Sequence, residues 1–341
     1  MTARWFLVLL SLANGCAAVP TSPRLDTTPA RTSVAPALAP PQSLAALPVA
    51  APLNSAASEP PLQLALRQEL AVSVSSIALG DGSRIAVLAD PPYIGDARGL
   101  HALPLPGSFQ PRSNENAELR IFWGRDNEPR IMGTRRSSTG EIPVYLRHTS
   151  AGWRDGRDEI GQLGSATRGG LWGVLGSADP ELVCRAGAVC IIKRTSGWTL
   201  APAGPASLIV ELREGTLWGL DVHGIATIDA RGWSLAVPAP TWPRPEAFWA
   251  VAAEAWVVAG GELFHYLRGA WTSARAPIAK PAAFWGSRPD SIWLVGEGGV
   301  AHFDGRVWRA SSSVGSLHAI AGRSDAELWF GGDTGLFRVQ Q

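Results

Sequence analysis

Tyrosine and methionine are nearly missing from this chain: three and two residues among 341. A net charge of one sign is missing too. Thirty Lys and Arg against 29 Asp and Glu leave +1, with the basic residues scattered along the chain. That excludes the one-sided basic footprint by which a protein holds nucleic acid or an anionic membrane surface. Long apolar runs are absent beyond the first residues, so nothing downstream could span a bilayer as a helix, which needs about 20 apolar residues. No zinc-protease helix motif, nucleophile elbow or phosphate-cradling loop is present, which removes the commonest catalytic signatures. Three cysteines are too few for a disulfide scaffold.

Tryptophan, by contrast, is abundant and periodic. Trp218, Trp256, Trp293 and Trp329 form one series, and Trp198, Trp233, Trp271 and Trp308 form another locked to it. Of the 15 tryptophans, only Trp5 and Trp242 fall off the repeat. A fixed period of this length marks a repeat architecture. One unit reads as follows. Ala283–Gly286, Ser291–Val295, Val300–Phe303 and the stretch opening at Val307 are short β-favouring segments, and Asp304-Gly305-Arg306 is a tight hairpin turn. Four strands in such a unit are the content of one propeller blade.

The same grammar runs back through Trp249 and Trp256, Trp218 and Trp233, Trp172 and Trp198, and Trp123 and Trp153. It fades in a first unit marked by residues 74–79 and 85–88. The last unit supplies three strands, at 317–321, 328–330 and 336–338. The expectation is an all-β propeller over 62–341, with seven four-stranded blades. Residues 62–72 would pair with 336–339 to close the ring, because an open ring leaves two sheet edges exposed. Six or eight blades stay open, since the first unit is poorly marked. These units resemble the Trp- and Gly-rich propeller repeats of secreted bacterial lipoproteins. The likeness implies a fold and an extracytoplasmic setting, and no chemistry.

The N-terminus points the same way. Arg4 supplies a positive start and Trp5 to Ala13 a short apolar stretch, followed by Leu12-Ala13-Asn14-Gly15-Cys16. This resembles a bacterial lipoprotein signal over residues 1–16, which implies lipid on Cys16. An ordinary cleaved signal with a free thiol is the alternative. Residues 17–61 are almost entirely Ala, Pro, Ser, Thr, Leu and Val, a composition that builds no core and reads as a disordered tether of roughly 40 Å as a flexible coil.

The candidate sites are few. Regular placement marks the tryptophans as inter-blade packing; Trp242, within Pro238–Pro245, is the aromatic expected to be exposed. Gly260-Gly261, Gly298-Gly299 and Gly331-Gly332 read as turns needing positive φ. His265 and His302 hold equivalent positions, yet no acidic or Cys partner has matching spacing, so no metal site, cofactor or catalytic residue is assigned. Cys184 and Cys190 fall on adjoining strands, where a disulfide would fit. Arg154, Asp155, Arg157, Asp158 and Glu159 form a charged insert between the second and third units. Arg135 and Arg136 are expected in an inter-strand loop opening on the same face. The resulting expectation is a non-enzymatic, lipid-anchored binding module for a protein or envelope polysaccharide, with no nucleic-acid partner. A sialidase-like hydrolase or lyase is the alternative, although Asp304 and Asp229 stand four residues before their Trp rather than the five of the sialidase Asp-box.

Overall fold

The computed structural model describes residues 60–340 apart from 97, 107–115, 125–126, 138–139, 157–171, 175–180, 185–189, 195–196, 201–208, 214–215, 222, 230–231, 252–253 and 313. For 172–217 and several other positions the backbone alone is described. These residues belong to one unit, Ala46–Gln341.

Among the described residues the strands form seven four-stranded antiparallel sheets. The first described strand is β1 (Leu66–Leu70), and blade 1 follows: β2 (Ser76–Leu79), β3 (Ile85–Leu88), β4 (Tyr93–Asp96) and β5 (Gly99–Ala102). Blade 2 holds β6 (Asn116–Trp123), β7 (Pro129–Ser137), β8 (Gly140–Thr149) and β9 (Gly152–Asp155). Blade 3 holds β10 (Trp172–Val174), β11 (Glu181–Cys184), β12 (Cys190–Arg194) and β13 (Gly197–Leu200). Blade 4 holds β14 (Ile209–Arg213), β15 (Thr216–Asp221), β16 (Gly224–Asp229) and β17 (Gly232–Pro238). Blade 5 holds β18 (Pro245–Val251), β19 (Glu254–Ala259), β20 (Glu262–Leu267) and β21 (Ala270–Arg275). Blade 6 holds β22 (Pro281–Arg288), β23 (Ser291–Gly296), β24 (Gly299–Phe303) and β25 (Trp308–Ser311). Blade 7 holds β26 (Leu317–Ser324), β27 (Glu327–Gly332), β28 (Gly335–Val339) and, as its fourth strand, β1. The fold is the expected all-β propeller.

Ring closure uses the expected pairing, with Leu66 opposite Val339 and Leu70 opposite Leu336. Apolar packing closes the same joint. Trp329 and Leu336 of blade 7 cluster with Val74, Ile85 and Val87 of blade 1. The Val74 N–H donates to the Gly332 carbonyl at 2.9 Å. Blade 1, faint in sequence, is complete. Its outer strands carry no tryptophan and follow Pro91-Pro92, so the repeat signal lapses while the backbone ladder continues.

Several of the described tryptophans join blades in two ways. Trp249 and Trp256 of blade 5 are fully buried against Phe284, Ile292 and Trp308 of blade 6. The indole N–H groups then reach neighbouring backbone. Trp249 donates to the Gly286 carbonyl at 3.3 Å, Trp271 to Pro238 at 2.8 Å, Trp123 to Ala78 at 3.1 Å and Trp153 to Leu103 at 3.0 Å. A large apolar body with a satisfied polar tip suits such a seam.

Two glycine readings separate here. Gly260 and Gly261 take φ of +60° and +80°, as a tight turn requires. Gly331 and Gly332 instead lie inside β27, where a Cβ on Gly331 would stand 2.5 Å from the Val74 side chain. Gly331 is small because the next blade approaches closely, and Gly332 because the Ser316 carbonyl of its own blade does.

Leu336, buried at the closure, sets the first prediction. Leu336→Ala should cost about 2–5 kcal/mol in urea unfolding. Deleting residues 60–70, which exposes both edges, should abolish the single cooperative transition and produce oligomers on size exclusion.

Candidate functional site

Antiparallel order sends alternate turns to opposite ends of each blade. Turns between first and second strands, and between third and fourth, open on one face, here called the front. Turns between second and third strands, and the links between blades, open on the back.

A cleft of about 640 Å³ lies on the front face between blades 1 and 2. The β4–β5 turn gives it Asp96, Arg98 and Gly99, and β5 adds His101. The segment before β7 gives Asn127 and Glu128, and the end of β8 gives His148 and Thr149. Ile94, Trp123 and Pro129 form apolar wall. Arg84 donates to the Asn127 carbonyl at 3.2 Å and lies over Trp123, 5.9 Å from the ring centroid. Glu128 accepts from Arg147 at 2.7 Å. His148 packs edge-on against Trp153, and burial holds its imidazole below the ordinary histidine value while Glu128 pulls the other way. The cleft thus offers guanidinium and imidazole donors above an apolar floor, a combination suited to holding a peptide. Sequence reading passed over these residues because they come from turns of two blades, one of them the blade where the Trp repeat is faintest. Their signal was the pair Asp96 and Arg98 astride a hairpin tip.

The residues singled out from sequence lie elsewhere. Arg135 and Arg136 are not in a loop. They lie within β7, opposite Ile142 and Glu141, because the β7–β8 hairpin continues to Ser137 and Gly140. A ladder does not need apolar side chains to extend past the core. Arg154 and Asp155 are likewise in a strand, the exposed edge strand β9, opposite Arg147 and Leu146. Arg157, Asp158 and Glu159 lie outside the described residues, as does Cys16. Arg135 and Arg136 approach the back face, away from the cleft. Trp242 is half-buried rather than displayed. It meets Phe264 and Trp271 edge-on at 5.6 and 5.1 Å, against the core cluster shared by blades 4 and 5. Cys184 stands directly opposite Cys190 across β11 and β12.

The two equivalent histidines do not converge. His265 stacks on Trp256 at 3.7 Å, with Nε2 2.8 Å from the Glu254 carboxylate. His302 stacks on Trp293 at 4.1 Å. Its Nε2 is 3.0 Å from Ser291 Oγ, which donates to Asp325 at 2.6 Å, so the neutral ring donates to the serine. Trp293 donates to the same carboxylate at 3.1 Å. Ser, His and Asp are therefore in contact, but in the wrong order for nucleophilic catalysis. The carboxylate holds the buried serine rather than orienting the imidazole. Blade 7 repeats the arrangement with Arg338 over Trp329 at 5.2 Å. These are cross-strand caps on the Trp seam. Among the described residues no three His, Cys, Asp or Glu side chains gather as a metal site would need. The Tyr145 hydroxyl is buried and bonded to Arg130 at 2.9 Å, and Tyr93 and Tyr266 pack into core clusters. Asp304 is held below the usual carboxylate range by the N–H groups of Val307 and Arg306, and Asp333 by His318.

No protein-family model matches the chain, and no curated protein matches it by sequence. Solved propellers do match in shape. YCF48 from Cyanidioschyzon merolae superposes with a TM-score of 0.58 at 15% identity, covering 81% of this chain and 99% of that one. YCF48 bound to D1 peptide gives 0.57 at 14% identity over 85% and 99%. A streptogramin B lyase gives 0.55 at 13% over 81% and 97%. At such identities the likeness establishes the propeller fold alone.

His302 generates a prediction. Burial holds its imidazole below the ordinary 6.5, against the pull of Asp325 and Asp304. The folded chain therefore binds that proton less readily than the unfolded chain. Its stabilising share is whole above pH 6.5 and fades as pH falls through the window below. Tm should drop between pH 7 and 5, and His302→Gln should flatten part of that slope while leaving the fold intact by circular dichroism.

Proposed function

We propose that this protein is a lipid-anchored, extracytoplasmic propeller that binds a partner protein without acting chemically on it. The observation carrying this reading is the front-face cleft, in which turns of two rigid blades border an apolar floor with charged groups. Loops on a rigid scaffold are where recognition concentrates. That a solved propeller of the same fold carries a bound peptide supports this use of the architecture. The anchor rests on Arg4, the short apolar stretch and Gly15-Cys16. With residues 17–61 as tether, it would hold the ring near its partner and raise the effective concentration. An envelope polysaccharide is the other ligand class the sequence leaves open.

Cross-linking pull-down from the native envelope tests the reading. Ser150, exposed at the cleft, is replaced by Trp to fill it. On the other side, segment 154–159 is replaced by Gly-Ser. Loss of one dominant protein partner with Ser150→Trp alone supports the cleft. Loss only with the 154–159 replacement moves the site to the back. Recovery of glycan without protein overturns a protein partner.

Two chemical proposals accompany it. Metabolic labelling with an alkynyl fatty acid should mark the wild type and leave Cys16→Ser unlabelled. Cys184 and Cys190, paired in register, should form a disulfide. Thiol titration of the unfolded, unreduced protein should then count no free thiol from this pair. Two free thiols there sink the assignment.

A further inference from the structure

Around the cleft Arg84 and Arg98 have no carboxylate partner among the described residues. Glu128 is paired with Arg147, and Asp96 accepts the backbone N–H of Arg98 at 2.7 Å. Arg84 is oriented by a carbonyl and an indole face, neither of which neutralises it. Arg98 is exposed at the tip of the β4–β5 turn, and among the described residues its side chain has no partner.

That turn recurs around the ring. Asp96-Ala97-Arg98-Gly99 in blade 1 and Asp229-Ala230-Arg231-Gly232 in blade 4 are the same tetrapeptide. Asp304-Gly305-Arg306 in blade 6 keeps the Asp and Arg, and Leu267-Arg268-Gly269 in blade 5 keeps the Arg. All four segments fall between the third and fourth strands of their blades, and the described turns at Arg98, Arg268 and Arg306 open on the front face. Arg231 lies outside the described residues. Arg268 and Arg306 are exposed and, like Arg98, without a side-chain partner among the described residues. Arg268 sits at φ +52°, a left-handed position where Gly or Asn is ordinary and Arg is strained.

Most of the described acids of this face are engaged. Asp304 pairs with Arg309, Asp290 with Arg288, Glu327 with Arg323 and Glu254 with His265. Asp325 accepts from Ser287, Ser291 and Trp293. Asp81 is an exposed carboxylate with no side-chain partner among the described residues. Arg98, Arg268 and Arg306, far apart in the chain, are thus brought by the repeat onto one face.

We infer that the partner is an acidic protein: a carboxylate-bearing segment enters the cleft and pairs with Arg84 and Arg98, while its remaining surface meets Arg268 and Arg306 at the other turn tips. This rests on the cleft being the docking site. Guanidinium suits the role because it takes a carboxylate through two parallel N–H donors.

The test is fluorescence anisotropy of the full-length protein with three labelled decapeptides, alternating Glu-Ser, Lys-Ser and Gly-Ser, at low salt. The acidic peptide should bind about tenfold more tightly than the others and weaken as salt rises. Arg98→Glu should weaken it about tenfold, Ser150→Trp should remove it, and Arg244→Glu, on the back face, should leave it unchanged. Equal binding of all three peptides, or equal loss with Arg244→Glu, overturns the acidic partner while sparing the cleft. If no peptide binds, the envelope pull-down decides. Retention of its partner by Arg98→Glu combined with Arg268→Glu overturns the inference. Indifference of that partner to Ser150→Trp overturns the cleft itself.

Discussion

Everything in this molecule depends on closing a circle of sheets. No blade buries both of its faces alone; each is completed by the blade on either side. The two end blades would each keep one bare face and one open edge if the ring stopped short. The chain solves this by lending its first strand to its last sheet, so that the pairing of β1 with β28 finishes blade 7. The joint between blades 7 and 1 is then packed like any other, with Trp329 against Val74 and Val87. The segment before β1 adds Leu62 and Leu64 to the cluster shared by blades 6 and 7.

The tryptophans show how a repeat economises. One residue type supplies apolar area for the seam, an N–H for a neighbouring carbonyl, and a face on which a histidine or arginine from the adjoining strand can lie. The partner on that face varies, His265, His302 or Arg338, while the stacking persists. Polar residues that resemble catalytic groups in isolation are therefore absorbed into structure. Ser291, His302 and Asp325 form one such set.

Much of the fold was legible because period, turn chemistry and closure all leave marks in the sequence. Trp218 through Trp329 gave the blades, Asp304-Gly305-Arg306 a hairpin, and the apolar stretch before residue 72 the closing strand. The site was less legible. A charged run such as Arg154–Glu159 looks like a loop, yet the ladder carried Arg154 and Asp155 into β9. Trp242 looked exposed because it broke the period, but Phe264 and Trp271 leave an edge for it to fill. The cleft went unread because its residues come from turns in two blades, distant in sequence, in the region with fewest tryptophans. What joins Arg98 to Glu128 is the angle between sheets, and no local pattern encodes that angle.

The borrowed strand also orders events in time. A chain made from its N-terminus produces β1 before the strand it pairs with, β28, and every other described strand appears between the two. Until then Leu66 to Leu70 must wait unpaired, and the edge of the growing ring stays a template for any stray strand. The entropy of bringing the ends together grows only slowly with the length enclosed, so the final step is thermodynamically mild and kinetically late. Completion of the ring is therefore a checkpoint on synthesis: a chain without β28 holds nearly all of its core and none of its closure.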